Sequence, residues 1–188
     1  MTDRVPKVFC PSCGEMVDPF VMITGGEERI HCTECGLDLS QKEFKKKTMD
    51  RVLISDDSAI TRKQVTELIT SSGIAKDIIE SENGRVFLSQ LSELLKNKAQ
   101  VDLIILDVNM PIINGIDAAR TVRALEAGLK LAQKIPIVFF SVVKCDENFK
   151  KIMDITRPAA YLNKGNTADK EQFGKRLLDV INRIRPVA

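Results

Sequence analysis

The sequence predicts an α/β protein, a five-stranded parallel sheet covered by helices on both faces, with a small separate module ahead of it. Three observations predict this. From Asp50 onward, short apolar runs alternate with segments of helical periodicity. Those runs are continuously apolar rather than alternating, as strands buried on both faces are. Residues 1–40 instead carry two close pairs of cysteines and too little apolar sequence for a core of their own.

The 188 residues are 44% hydrophobic and 29% charged, enough for one ordinary domain plus a small one and unlike a disordered tail. A net charge of +2 gives no chain-wide reason to expect nucleic acid or a membrane surface as partner. The start, "MTDRVPKVFCPSCG", lacks the basic-then-apolar pattern of a signal peptide. No apolar run approaches the ~20 residues that span a bilayer. A cytoplasmic protein without membrane insertion is expected.

Four of the five cysteines form the motifs "CPSCG" (Cys10, Cys13) and "CTECG" (Cys32, Cys35). Without a secretion signal, a disulfide framework is a poor reading. Two cysteines followed by glycine let a tight turn aim both thiolates at one ion, and two such knuckles close a tetrahedral structural zinc site. The intervening "EMVDPFVMITGGEERIH" reads as a hairpin turning at "TGGEE". This pattern resembles a zinc ribbon over residues 1–40. The metal supplies the folding energy of such a module, and four thiolates leave no open position for catalysis. His31 adjoins Cys32 but is not needed to complete the ligand count. Residues 41–49, with "KEFKKK", read as a basic linker that is solvated rather than bound to phosphates. With only Phe9, Phe20 and Phe44 for stacking, nucleic acid is the less favoured partner.

Residues 50–188 form the second domain. Its strands are "RVLIS" (51–55), "AKDIIES" (75–81), "VDLIILD" (101–107), "IPIVFFS" (135–141) and "AAYLNK" (159–164). Between them, Val65, Leu68 and Ile69 line a helix over 58–71, with Gly73 at its C-terminal cap. Val86, Phe87, Leu91, Leu94 and Leu95 form the stripe of a helix over 84–97. Ala118, Val122 and Leu125 do so over 115–127, before Gly128. A shorter helix covers 145–154, and Phe173, Leu177, Ile181 and Ile184 line the last one. Cys145 reads as a small buried hydrophobe.

In a sheet of this kind, ligands bind beyond the carboxyl ends of the strands. Asp56-Asp57, Asp107, Ser141 and Lys164 stand at those ends. Singly, each has an ordinary explanation; Asp57 before "SAIT", for instance, reads equally as a helix cap. Jointly they set three carboxylates, a hydroxyl and an ammonium along one sheet edge. Carboxylates so close repel one another unless cations intervene, and a hard divalent ion such as Mg²⁺ and Lys164 supply them. A carboxylate in this setting can attack a phosphoryl group, whose oxygens the metal, the lysine and a hydroxyl then hold.

The motifs "ISDD", "LDVNMPIING", "VFFS" and "YLNKG" resemble, in order and spacing over residues 50–185, those of two-component response-regulator receiver domains, especially the single-domain chemotaxis type. The resemblance implies a flavodoxin-like sheet of order 2-1-3-4-5. It makes Asp107 the phosphoacceptor, and Asp56, Asp57, Asp107 and the backbone carbonyl of Asn109 the Mg²⁺ ligands. Ser141 becomes the switch hydroxyl, Tyr161 the switch aromatic and Lys164 the phosphoryl-binding cation. It implies a histidine kinase or phosphotransfer protein as donor, and a target at the face of the fourth helix, last strand and last helix. The chain is then a monomer or a phosphorylation-linked homodimer, and not a dedicated enzyme. When Asp107 carries phosphate, Ser141 moves inward and Tyr161 swings into the vacated space.

The sequence departs from the family at three places. Gly165 stands where proline is usual, Val142 where a small residue is commoner, and Val143 offers no polar group to position a water. Slow self-dephosphorylation is expected. The alternative function is a zinc-ribbon module for protein or nucleic acid, with a receiver-like scaffold that phosphorylation does not regulate. A phosphatase using a strand-end aspartate would carry a second aspartate where Asn109 stands.

Overall fold

The computed structural model describes residues 6–24, 26–40, 48–142, 144–165 and 169–185. Two short antiparallel hairpins come first: β1 (Val8–Cys10) with β2 (Glu15–Val17), and β3 (Pro19–Thr24) with β4 (Glu27–Cys32). The last pair of the second is Thr24 with Glu27, so its strands meet within "TGGEE", as expected. The linker expected at 41–49 falls mostly on residues 41–47, which lie outside the described residues.

Then strands and helices alternate: β5 (Met49–Ser55), α1 (Ala59–Ser72), β6 (Ala75–Ser81), α2 (Gly84–Lys96), β7 (Leu103–Asp107), α3 (Gly115–Gly128), β8 (Ile137–Ser141), α4 (Glu147–Ile155), β9 (Ala159–Asn163) and α5 (Lys170–Ile184). The five strands pair in parallel in the order β6-β5-β7-β8-β9. Counted within this domain, that is 2-1-3-4-5.

β7 and β8 each begin two residues later than the apolar runs suggest. Asp102 spends its carboxylate on the backbone N–H groups of Asp50 and Arg51, at 2.6 and 3.1 Å, tying off the start of the ladder. Pro136 has no N–H to give the sheet. Helix α1 is capped by Ser58, whose hydroxyl accepts from the Thr61 N–H at 3.3 Å, so Asp57 is released from the capping role. At its other end Gly73 adopts φ 65°, the left-handed cap expected of it. Gly128 does not play that part for α3. It is the last residue of the helix, Leu129 caps it in a right-handed conformation, and Lys130 takes the positive φ of 51°.

The core has two layers because successive strand residues face opposite ways. Val52, Ile54, Leu103, Ile105 and Val138 pack against Val65, Ile69, Phe173, Leu177 and Ile181 of α1 and α5. Leu53, Ile104, Leu106 and Phe139 pack against Phe87, Leu91, Ala118 and Val122 of α2 and α3. Each of the Val, Leu, Ile and Phe side chains among them contributes about 1.5–3 kcal/mol by its burial. The second layer does not stop at the sheet. Cys10, Val17, Cys32 and Cys35 of the N-terminal hairpins join it beside Tyr161 and Met153.

Candidate functional site

Strand register brings the predicted residues together. Ser55 lies level with Leu106 and Asp107 with Phe140, so Asp56 and Asp107 leave the sheet at the same height. Ser141 pairs with Asn163, which puts Lys164 just beyond the same edge. One carboxylate oxygen from each of Asp56, Asp57 and Asp107 lies within 4.8 Å of the others. The Lys164 Nζ reaches Asp56 Oδ2 at 2.7 Å and Asp107 Oδ1 at 3.0 Å. It also sits 5.1 Å from the centre of the Phe140 ring.

Asp56 and Asp107 are buried, while Asp57 is exposed. Burial pushes the Asp107 carboxyl up; Lys164 pulls it down without offsetting that, and the Asp56 charge adds to the rise. Three carboxylates against one ammonium leave two negative charges. Among the described residues, the buried Asp56 Oδ2 has the Lys164 charge beside it but no aligned hydrogen bond. A hard, oxygen-liganded divalent cation fits this donor set and its charge.

The surroundings hold these groups still. The Ser58 N–H donates to Asp56 Oδ1 at 2.9 Å, and Arg62 of α1 donates to the Asp56 carbonyl at 2.7 Å. Arg62 was not singled out from the sequence; its place in the first turn of an ordinary helix carries no signal. Gly115 has a role beyond the start of α3. A Cβ there would lie 2.0 Å from the Asp107 carbonyl oxygen, and its N–H donates to Val108 O at 2.9 Å. The "NMPIING" turn therefore folds back directly beneath the strand-end aspartate.

Ser141 is buried at the end of β8, and its carbonyl accepts the Lys164 N–H at 2.8 Å. Tyr161 is 2% exposed, edge-on to Phe149 of α4, and its hydroxyl accepts from Asn163 Nδ2 at 2.7 Å. Val142 is exposed, and Val143 lies outside the described residues. Gly165 has φ 51°, which the proline usual in the family cannot adopt.

The other cluster is the cysteines. Their four Sγ atoms lie within 4.8 Å of one another, with Cys10–Cys35 at 3.7 Å and Cys13–Cys32 at 3.9 Å. Sulfurs ~2.3 Å from a tetrahedral ion stand ~3.8 Å apart, so the cage fits zinc, whereas a disulfide needs ~2.05 Å. The knuckles are of the expected kind. Gly14 and Gly36 take φ 79° and 75°, and the N–H groups of Cys13 and Cys35 point at the sulfurs of Cys10 and Cys32. Thiol hydrogen bonds from Cys10 and Cys13 push Cys32 and Cys35 toward thiolate. His31 stays out of the cage: its Nδ1 faces the Gly36 carbonyl at 3.1 Å and its ring lies beside Phe20. Burial pushes the Cys145 thiol up to about 12, consistent with an unreactive side chain.

A cleft of about 1000 Å³ lies at the other end of the sheet, between Met49, Val101 and Leu131, and no residue of either cluster lines it.

Residues 52–170 match the response regulator receiver domain. Among curated relatives, a protein-glutamate methylesterase/protein-glutamine glutaminase of Clostridium acetobutylicum is 28% identical over 72% of this chain and 36% of its own length. One of the same description from Nocardioides is 32% identical over 50% of this chain and 22% of its own. The chain thus spans about a fifth to a third of these relatives, and only their receiver part is matched. The response regulator domain of Thermotoga maritima CheB superposes with TM-score 0.58 at 23% identity, over 74% of this chain and 98% of that one. Vibrio cholerae CheY4 does so at 0.54 and 26%, over 71% and 99%. The CheX–CheY–BeF₃⁻–Mg²⁺ complex of Borrelia burgdorferi contributes a further match at 0.51 and 24%, over 71% and 90%.

Proposed function

This chain belongs to the response regulator receiver domain family, and from that premise we propose that it is a phosphorylation-controlled signalling switch of a two-component system, working in the cytoplasm. Among the described residues no helix is long and apolar enough to cross a membrane.

The observation that carries the reading is the convergence of Asp56, Asp57 and Asp107 with the single ammonium of Lys164. A carboxylate oxygen of Asp107 attacks the phosphorus of a phosphohistidine on a partner kinase or phosphotransfer protein. The P–N bond breaks as the P–O bond forms, and the imidazole leaves with a proton. Asp56, Asp57, Asp107 and the Asn109 carbonyl hold Mg²⁺, which neutralises charge on the transferring group when bound. Lys164 then has a phosphoryl oxygen to pair with in place of bare carboxylate, and the Ser141 hydroxyl donates to another. The change reaches Tyr161 and the face of α4, β9 and α5, from which a protein target, the four-cysteine module or both read it. The four cysteines hold a structural zinc. The relatives are named for methylesterase and glutaminase activity, but this chain matches only 22% and 36% of their length, so that activity is not carried over to it.

Incubation with acetyl phosphate and Mg²⁺ tests the proposal. Wild type should incorporate phosphate and Asp107→Asn should not. Equal incorporation overturns the reading and leaves the unregulated scaffold. In the same assay, a chase should show the label persisting for minutes, because neither exposed Val142 nor the hydrophobic residue after it supplies a polar group to orient a water. Loss within seconds contradicts that.

A further inference from the structure

The face of α4, β9 and α5 already has an occupant. The first cysteine knuckle lies along the free edge of β9: the Asn163 N–H donates to the Ser12 carbonyl at 2.8 Å, and the Ser12 hydroxyl donates to the Tyr161 carbonyl. Arg176 of α5 closes the joint. Its buried guanidinium donates to the carbonyls of Pro11 at 2.8 Å, Ser12 at 3.1 Å and Asn163 at 2.9 Å. Gly14 leaves the space it fills, since a Cβ there would lie 2.7 Å from Cζ. The second knuckle reaches α4, where Lys150 Nζ donates to the Thr33 carbonyl at 3.0 Å. Arg183, further along α5, donates to the carbonyls of Asp38 and Ser40 at 2.8 and 3.0 Å. A buried cation held by three carbonyls is a committed contact, because removing them leaves its charge desolvated and unpaired.

This joint touches the phosphorylation site through two residues. Tyr161 and Asn163 accept or donate to Ser12, and the next residue, Lys164, pairs with Asp56 and Asp107. A pocket of about 210 Å³ borders the knuckles and β9, lined among others by Cys13, Glu34, Cys145, Tyr161 and Asn163. The docked knuckle and Phe149 enclose Tyr161 at 2% exposure, so a shift of this side chain in the proposed switch must be accommodated by the knuckle. The shape of the knuckle depends in turn on the four sulfurs being held together.

We propose that the four-cysteine module is the built-in reader of the acidic site. Zinc retention by Cys10, Cys13, Cys32 and Cys35 and phosphoryl occupancy at Asp107 strengthen each other through Ser12, Arg176 and β9. The inference rests on the phosphorylation reading above. Linkage makes it reciprocal: whatever phosphoryl occupancy does for zinc, zinc does for phosphoryl occupancy.

Zinc transfer from the full-length, zinc-loaded chain to a zinc-selective chelator tests it, with and without Mg²⁺ and beryllofluoride as the phosphoryl probe. Fluorine NMR reports bound beryllofluoride independently. Transfer should slow about fivefold or more when the probe is bound. An unchanged rate with the probe demonstrably bound overturns the inference and leaves the phosphorylation reading intact. No bound probe on wild type, as on Asp107→Asn, overturns both. Ser12→Ala and Arg176→Met each remove one strut of the joint, and the rate ratio in either should fall toward one while the zinc content is kept. A ratio that persists in both excludes the route through β9.

Discussion

Asp107 sits between two opposed effects, and their balance makes its behaviour testable. Burial favours its neutral form, and Lys164 at 3.0 Å favours the charged one; burial prevails, leaving the carboxyl above the ordinary range. Without metal, the neutral form then contributes stability at acid pH that is lost as pH rises through the raised value. A divalent cation needs the carboxylate, so each binding event displaces that proton as pH falls. The rise in melting temperature given by Mg²⁺ should therefore shrink as pH falls, starting above the range where exposed carboxylates titrate. Thermal scans with and without Mg²⁺ at successively lower pH check it, and an increment independent of pH contradicts it. The aspartates and Lys164 were legible because each ends an apolar run. Arg62 and Arg176 were not, because an arginine inside an amphipathic helix looks the same whether it faces water or three carbonyls.

At the scale of elements, the turn from β7 to α3 is the tightest joint near the site. The carbonyl of Asp107 comes so close to Gly115 that a methyl group would overlap it. Gly115→Ala must push the strand end and the helix apart, costing about 3 kcal/mol, and it displaces the Asp107 carboxylate. Denaturant unfolding should show that loss, together with a drop in phosphate incorporation. A variant as stable as wild type would mean the turn is softer than its geometry. The sequence marked this glycine as the entry to a helix, but its φ is not positive and its requirement is for space, which depends on a neighbour eight positions back. Strand ends were legible to within one residue, but β7 and β8 start two residues later than expected and β5 two residues earlier. The later starts are set by the Asp102 side chain and by Pro136, and periodicity is blind to both.

At the scale of the molecule, the module and the sheet differ in what holds them together. The sheet has two packed layers; the module has four sulfurs and a borrowed edge of one layer. Cys10→Ser/Cys32→Ser should lose its zinc while the sheet domain still unfolds cooperatively, at a lower temperature because the cover over Tyr161 is gone. Metal analysis and calorimetry follow the two events, and retained zinc would contradict the four-sulfur site. The sequence by itself determined the alternation of strands and helices, the carboxylates and lysine at the strand ends, and the two cysteine knuckles. All of these are local patterns, written in residues close together along the chain. Only the tertiary structure decided that the knuckle lies along β9 and that Arg176 locks it there. Those contacts join residues such as Ser12 and Tyr161, which are 149 positions apart along the chain, and they run through backbone carbonyls that every residue carries alike.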